Sequence, residues 1–199
     1  MLTSLEIRRK IFHMFAGVII AFLFYYDLLT PRMMFEGVII GVLLVLISKR
    51  VRLPFFGWFL EKFERPEELK RFPGRGTLFL FVGALAVMKL FPKDIALASI
   101  MILAFGDSFS HLFGGKFGRL VNIFNEKSKK LFEGTLVGFG AGFFSALIFV
   151  PAHEAFFGSF VAMAAEVVKF DLNENTIDDN LIVPVVAGTI MFLVRMYFI

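Results

Sequence analysis

The sequence predicts an all-α fold, a polytopic membrane helix bundle with about seven transmembrane helices and one amphipathic helix lying at the interface. Three observations carry that expectation. Of 199 residues, 58% are hydrophobic and only 19% charged, with a mean hydropathy of +0.78. A chain this small has too high a surface-to-volume ratio to hide so much apolar surface in water. The apolar residues also fall into long runs, as spanning helices of about 20 residues require. Finally, the basic residues are distributed unevenly between alternate connections. Disordered chains and disulfide scaffolds are excluded by composition, and with no cysteine there is no thiolate nucleophile or Cys-ligated metal.

The spans are expected at 11–29, 33–48, 76–92, 95–113, 134–152, 153–170 and 181–199. The first follows Arg8-Arg9-Lys10 like a signal peptide, but it lacks a small-residue cleavage site and six further apolar segments come after it. The second and third are short, and Lys89 snorkels from the third. The fifth carries no Asp, Glu, Lys or Arg between Gly134 and Ala152. Dropping 153–170 would leave six spans and move the C-terminus across the membrane. Between the second and third spans, Leu53 to Arg75 is too polar to cross. Phe55, Phe56, Phe59, Leu60 and Phe63 follow helical spacing, with Trp58 among them and Glu61, Lys62, Glu64 and Arg65 turned away. This helix either draws a lipid toward a site or simply connects two spans along the headgroups. No internal repeat or linker divides the chain, so residues 1–199 form a single domain.

With these spans, 17 of the 21 Lys and Arg residues fall on the side of the N-terminus and four on the other. The positive-inside rule then puts the N-terminus in the cytoplasm. The net charge of +4 reads as topology and attraction to anionic headgroups, with no nucleic-acid polymer as partner.

Carboxylates in spanning helices are penalised by about 3 kcal/mol on insertion scales, so they mark candidate chemistry. Asp107, Glu166 and the pair Asp178-Asp179 converge on the cytoplasmic side, with His13, Arg9, Lys10 and the cluster from Lys127 to Glu133. Glu36 and His153-Glu154 fall toward the outside and read as interfacial. The richest stretch is Gly106-Asp107-Ser108-Phe109-Ser110-His111, followed by Gly114-Gly115-Lys116 and Arg119. Asp107 and His111 share a helix face. The glycines allow backbone N–H groups to approach an anion, with Lys116 and Arg119 adding charge. This suits a phosphate beside a carboxylate-held Mg²⁺, and equally suits a glycine-rich helix end followed by topology-setting bases. Glu133-Gly134-Thr135 opens the fifth span, where helix N–H groups face phosphate oxygens. Asp178-Asp179-Asn180 before Pro184 offers either oxygen ligands for Mg²⁺ or a helix cap with proline in the first turn. Gly138, Gly140 and Gly142 permit close packing, within the chain or between subunits of a homo-oligomer.

The succession EIRRKIFH, RFPGRGTLFLFVG, FGDSFSHLFGGKFG, KKLFEGTLVGF, AAEVVKF and DDNLIVPVVAG, from Glu6 to Gly188, resembles the polyprenol kinase family. That family takes in dolichol kinase, phytol kinase and the CTP-dependent diacylglycerol kinases, and is more distantly similar to CDP-diglyceride synthases. The resemblance implies transfer of the γ-phosphate of CTP to the hydroxyl of a membrane lipid alcohol such as a polyprenol. By position it implies Arg9, Lys10, Asp107 and Lys130 as catalytic residues. Gly114, Gly115, Lys116, Lys130, Glu133, Gly134 and Thr135 are implied at the nucleotide, and Asp107, Glu166, Asp178 and Asp179 at Mg²⁺. Leu131 stands where the family's K-[ST]-x-E-G-[ST] signature has a hydroxyl residue, leaving Ser128 or Thr135 to supply that contact. A lipid-phosphate cytidylyltransferase and a non-enzymatic transporter are the alternatives.

Overall fold

The computed structural model describes residues 3–51, 53–117, 132–167, 171–172, 175–176 and 178–198. Each apolar stretch read from the sequence contains a helix. They are α1 (Ser4–Tyr25), α2 (Pro31–Ser48), α5 (Arg75–Leu90), α6 (Lys93–Met101) running on into α7 (Ser108–Phe117), α8 (Phe132–Ala146), α9 (Ala152–Val167) and α10 (Asp179–Phe198). Two shorter helices, α3 (Pro54–Phe63) and α4 (Pro66–Arg71), fill the connection between α2 and α5. Among the described residues, the departure from an all-helical description is a short antiparallel ribbon, Asp171–Leu172 with Asn175–Thr176.

Local sequence sets the helix ends. Thr3 and Thr30 cap α1 and α2, their hydroxyls accepting from the Glu6 and Met33 N–H groups at 3.3 Å. Proline occupies the first turn of α2, α3 and α4, where its missing N–H leaves nothing unpaired. Asp178 caps α10 with a 3.1 Å bond from the Asn180 N–H. Pro184, expected in the first turn of that helix, lies inside it instead. There it removes the bond to the Asn180 carbonyl, and that carbonyl presses against Gly83 of α5, where no Cβ would fit.

The continuous helix α6–α7 forms the axis of the bundle. In its span, 78% of the residues are buried, against 11% for α2. Around it pack α1, α5, α8, α9 and α10, enclosing Leu80, Val87, Ile95, Ile100, Ile102, Leu103, Met163, Val183 and Met191. The outward surface is itself greasy. Phe15, Ile19, Phe22, Ile40, Leu43, Phe144, Ile148, Phe160 and Phe198 are all exposed, as expected of helices bathed in hydrocarbon. Among the described residues, three helical stretches, Pro31–Ser48, Lys93–Lys116 and Asp179–Phe198, are long and apolar enough to cross a bilayer. Helices α5, α8 and α9 have 15 or 16 residues, and α1 carries Glu6, Arg8, Arg9 and Lys10 in its first two turns. The protein is therefore an integral membrane helix bundle.

Glu36, expected at an interface, is exposed and pairs with Arg32 at 3.2 Å. Glu154, expected there too, is placed otherwise. That carboxylate is fully buried and accepts two bonds from Arg195, at 2.9 and 2.7 Å, while the same guanidinium reaches Asp94 at 2.6 Å. Three helices, α6, α9 and α10, are thus tied at the end remote from α1's N-terminus. Glu154→Ala leaves Arg195 with Asp94 alone, and breaking a buried pair of this kind costs about 3–5 kcal/mol. The expected result is a clear fall in the melting temperature of detergent-solubilised protein, with Asp94→Asn milder because Asp94 is more exposed.

Candidate active site

The site is organised by a break in helical regularity. Between α6 and α7, residues Ile102–Asp107 form a π-helical turn. A wider turn shifts the phase of everything after it, and such turns recur at functional positions. Here it places Asp107 in the bundle interior at 1% exposure. Lys10, buried on α1, donates to Asp107 Oδ2 at 2.6 Å. One turn on, His111 Nε2 lies 3.5 Å from Asp107 Oδ1 and 3.8 Å from Glu166 Oε1 of α9. The ligand-capable atoms of Asp107, His111 and Glu166 all fall within 4.8 Å of one another.

A buried carboxylate requires a compensating charge. Among the described residues, two carboxylate oxygens and an imidazole nitrogen converge here, and that donor set fits a divalent cation. Two carboxylate oxygens suit Mg²⁺, while the imidazole extends the set toward softer divalent metals. His111 was legible as sharing a face with Asp107, but not as a partner of Glu166, because that contact joins residues 55 positions apart.

Glycines bring α8 against this axis. A Cβ on Gly134 would lie 2.5 Å from the Ser110 carbonyl and 2.8 Å from the Gly114 Cα, and one on Gly138 would lie 2.7 Å from the Gly106 carbonyl. Gly134, Gly138 and Gly142 recur every fourth residue and face the π turn and α7, whereas Gly140 has open space around it. The packing permitted by these glycines is thus internal at Gly138 and Gly142. Gly114 and Gly134 meet each other, which holds the first turn of α8 beside the end of α7. Thr135 Oγ1 is buried there without a hydrogen-bond partner among the described residues. Gly115 and Lys116 are exposed and Glu133 half-buried. Lys130, with the rest of 118–131, lies outside the described residues.

A second polar cluster adjoins the first through α1. Where Lys10 turns to Asp107, its neighbour Arg9 faces Glu68 at 3.6 Å and Glu6 at 3.8 Å. Arg65 binds Glu6 at 2.7 Å, Arg75 faces Asp178 at 3.2 Å, and the Asn180 side chain donates to the Gly76 carbonyl at 3.0 Å. Asp178 is therefore held as a helix cap beside α5. Burial pushes its carboxyl up to about 6 against the pull of the Asn180 N–H and Arg75. Asp179 is half-buried in the first turn of α10. Glu64, buried at the end of α3, is pushed from 4.5 up to about 8, first by burial and then by the Glu68 carboxyl beside it. The folded protein then keeps a proton that the unfolded chain releases near pH 4.5, so stability declines as pH rises from there to about 8. The permanently neutral Glu64→Gln is expected to flatten that decline in a pH series of melting temperatures.

Comparison with known proteins adds three relatives. An uncharacterized protein of Methanocaldococcus jannaschii, MJ1137, is 30% identical over 190 residues, covering 94% of this chain and 92% of its own. The CTP-dependent diacylglycerol kinase 1 of Saccharomyces cerevisiae is 26% identical over 162 residues, 77% of this chain and 54% of the yeast protein. Its namesake in Schizosaccharomyces pombe is 25% identical over 136 residues, 60% of each. The chain thus spans little more than half the length of these two kinases. No protein-family model and no solved structure matches it.

Proposed function

This chain belongs to the family of the uncharacterized Methanocaldococcus jannaschii protein, and we propose that it is a CTP-dependent lipid-alcohol kinase acting on a polyprenol. The observation that carries the proposal is the constellation of buried Lys10, Asp107 and Glu166 with half-buried His111. The distant similarity to two CTP-dependent diacylglycerol kinases supports the donor and the lipid class. In this proposal seven helices cross the membrane, with the N-terminus and the site toward the cytoplasm, where soluble CTP has access.

Phosphoryl transfer asks mainly for positioning and charge stabilisation, because negative charge spreads over the transferred oxygens. Asp107, His111 and Glu166 would hold Mg²⁺, with Asp179 contributing from the neighbouring cluster, where Asp178 serves as the cap of α10. The cation would neutralise charge on the nucleotide phosphates. Lys10 orients Asp107 and balances its charge. Lys116, Lys130 and Arg9 gather phosphate oxygens, with the backbone near Gly114, Gly115 and Gly134 and the Glu133 and Thr135 side chains lining the nucleotide. The alcohol oxygen forms a bond to the γ-phosphorus as the bond from that phosphorus to the β,γ-bridging oxygen breaks. The alcohol proton passes to Asp107, and CDP departs.

Purified protein with Mg²⁺ and CTP labelled at the γ-phosphate is expected to transfer label to a long-chain polyprenol and release CDP. A panel including phytol and diacylglycerol ranks the acceptors. Release of pyrophosphate from CTP, with a lipid phosphate as the acceptor, would instead establish a cytidylyltransferase.

A further inference from the structure

Away from the ionic clusters, α2, α3 and α5 enclose a groove of about 160 Å³. Its walls are Ile40, Leu44 and Val45 on one side, Leu78 and Phe81 on another, and Phe56 and Leu60 beneath. Gly37 and Gly41 keep it open along α2. A Cβ on Gly37 would meet nothing within 4 Å, and one on Gly41 would meet only the tip of Leu78 at 3.3 Å. From Gly37 to Val45 the groove runs about 12 Å at the α-helical rise. Its surface is almost wholly apolar, and α2, which forms its outer wall, is the least buried of the three long apolar stretches. In a membrane, the medium that meets such a groove is hydrocarbon.

One end of the groove is polar. Gly74 and Leu60 close it where a Cβ on Gly74 would lie 3.5 Å from Leu60 and 3.6 Å from Val45. One turn beyond Leu60 is Glu64, and directly after Gly74 come Arg75 and Gly76, which bind Asp178 and Asn180. This patch joins the Asp107 constellation through consecutive residues of α1, Arg9 and Lys10. An apolar trough about 12 Å long that opens onto lipid and ends at the polar face has the layout of a seat for an amphiphile with a small head.

We infer that the groove between α2, α3 and α5 binds the hydrocarbon chain of the lipid alcohol and delivers its hydroxyl end to the polar patch at Glu64, Arg75 and Asn180. The inference rests on the lipid-alcohol reading above and adds where the acceptor sits. It assigns Gly37 and Gly41 the task of leaving room for the chain, and makes α3 the floor of the acceptor site.

The test is photolabelling in phosphatidylcholine nanodiscs. Three probes carry a diazirine in the chain, namely a prenol, a diacylglycerol and a phosphatidylcholine. At least one alcohol probe is expected to label Ile40, Leu44 or Phe81 several-fold more than the phosphatidylcholine probe does. Gly37→Trp, which projects into free space, is expected to reduce that labelling several-fold while the protein elutes and melts as wild type. It should also raise the KM for the long-chain alcohol several-fold and leave the KM for CTP unchanged. Equal labelling by all three probes means the groove holds bulk lipid and overturns the inference. Alcohol labelling confined to other helices, or labelling and KM unaffected by Gly37→Trp, also overturns it. The kinase reading fails separately, when wild-type protein transfers no phosphate from CTP to any alcohol, whatever the labelling pattern.

Discussion

Asp107→Asn is expected to lower phosphate transfer by about 10²–10³-fold, the scale seen when a preorganised electrostatic contact to a transition state is removed. The substitution preserves shape and leaves an amide where Lys10 now donates at 2.6 Å, so transfer falls much further than folding suffers. Lys10→Met separates the roles. It leaves Asp107 buried among His111 and Glu166 with its ammonium partner gone, and loss of one member of such a pair costs about 3–5 kcal/mol. The variant should therefore melt markedly lower as well as lose activity, and Mg²⁺ should restore part of its melting temperature by replacing the missing positive charge. Melting curves with and without Mg²⁺, alongside labelled-CTP assays, distinguish the two variants. Full activity in Asp107→Asn combined with Lys130→Ala would remove this constellation from the mechanism.

The second large effect concerns packing. Gly138→Leu is expected to prevent α8 from seating against the π turn, because even a Cβ at that position meets the Gly106 carbonyl and the Ser110 Cβ at 2.7 Å and the Met163 sulfur at 3.1 Å. Backbone and a buried side chain on two helices cannot yield together, and overpacking of this severity exceeds the 1–3 kcal/mol typical of an added methylene. The protein should aggregate on extraction or lose its cooperative melt. Gly140→Leu, two residues away with open space around it, should extract, melt and turn over normally. A pair of equally tolerated variants would show that α8 does not sit where it is described.

What could be read from the chain follows from the range of each interaction. The helical segments were legible because hydrophobic runs in a bilayer are set by length alone, and each expected stretch contains a helix. The convergence of Asp107, Lys10 and Glu166 followed from the asymmetry of Lys and Arg between connections, which brings their helix ends to one face. The π turn left no mark, since Ile102 to Asp107 has the composition of any buried helix. Glu154 was misread because its position beside His153 at a span edge looks interfacial, while its partner Arg195 lies 41 residues on. The cap formed by Asp178 was one of two readings that sequence allowed, and Pro184 falls past the first turn because the helix already begins at Asp179.

The Arg195 knot has a mechanical consequence. With three helices riveted together at one end, they cannot slide past one another there, and any parting must grow with distance from the rivet, as the blades of tweezers do. The widest excursion then falls at the opposite end of the three helices, where α9 carries Glu166 and α10 begins at Asp179.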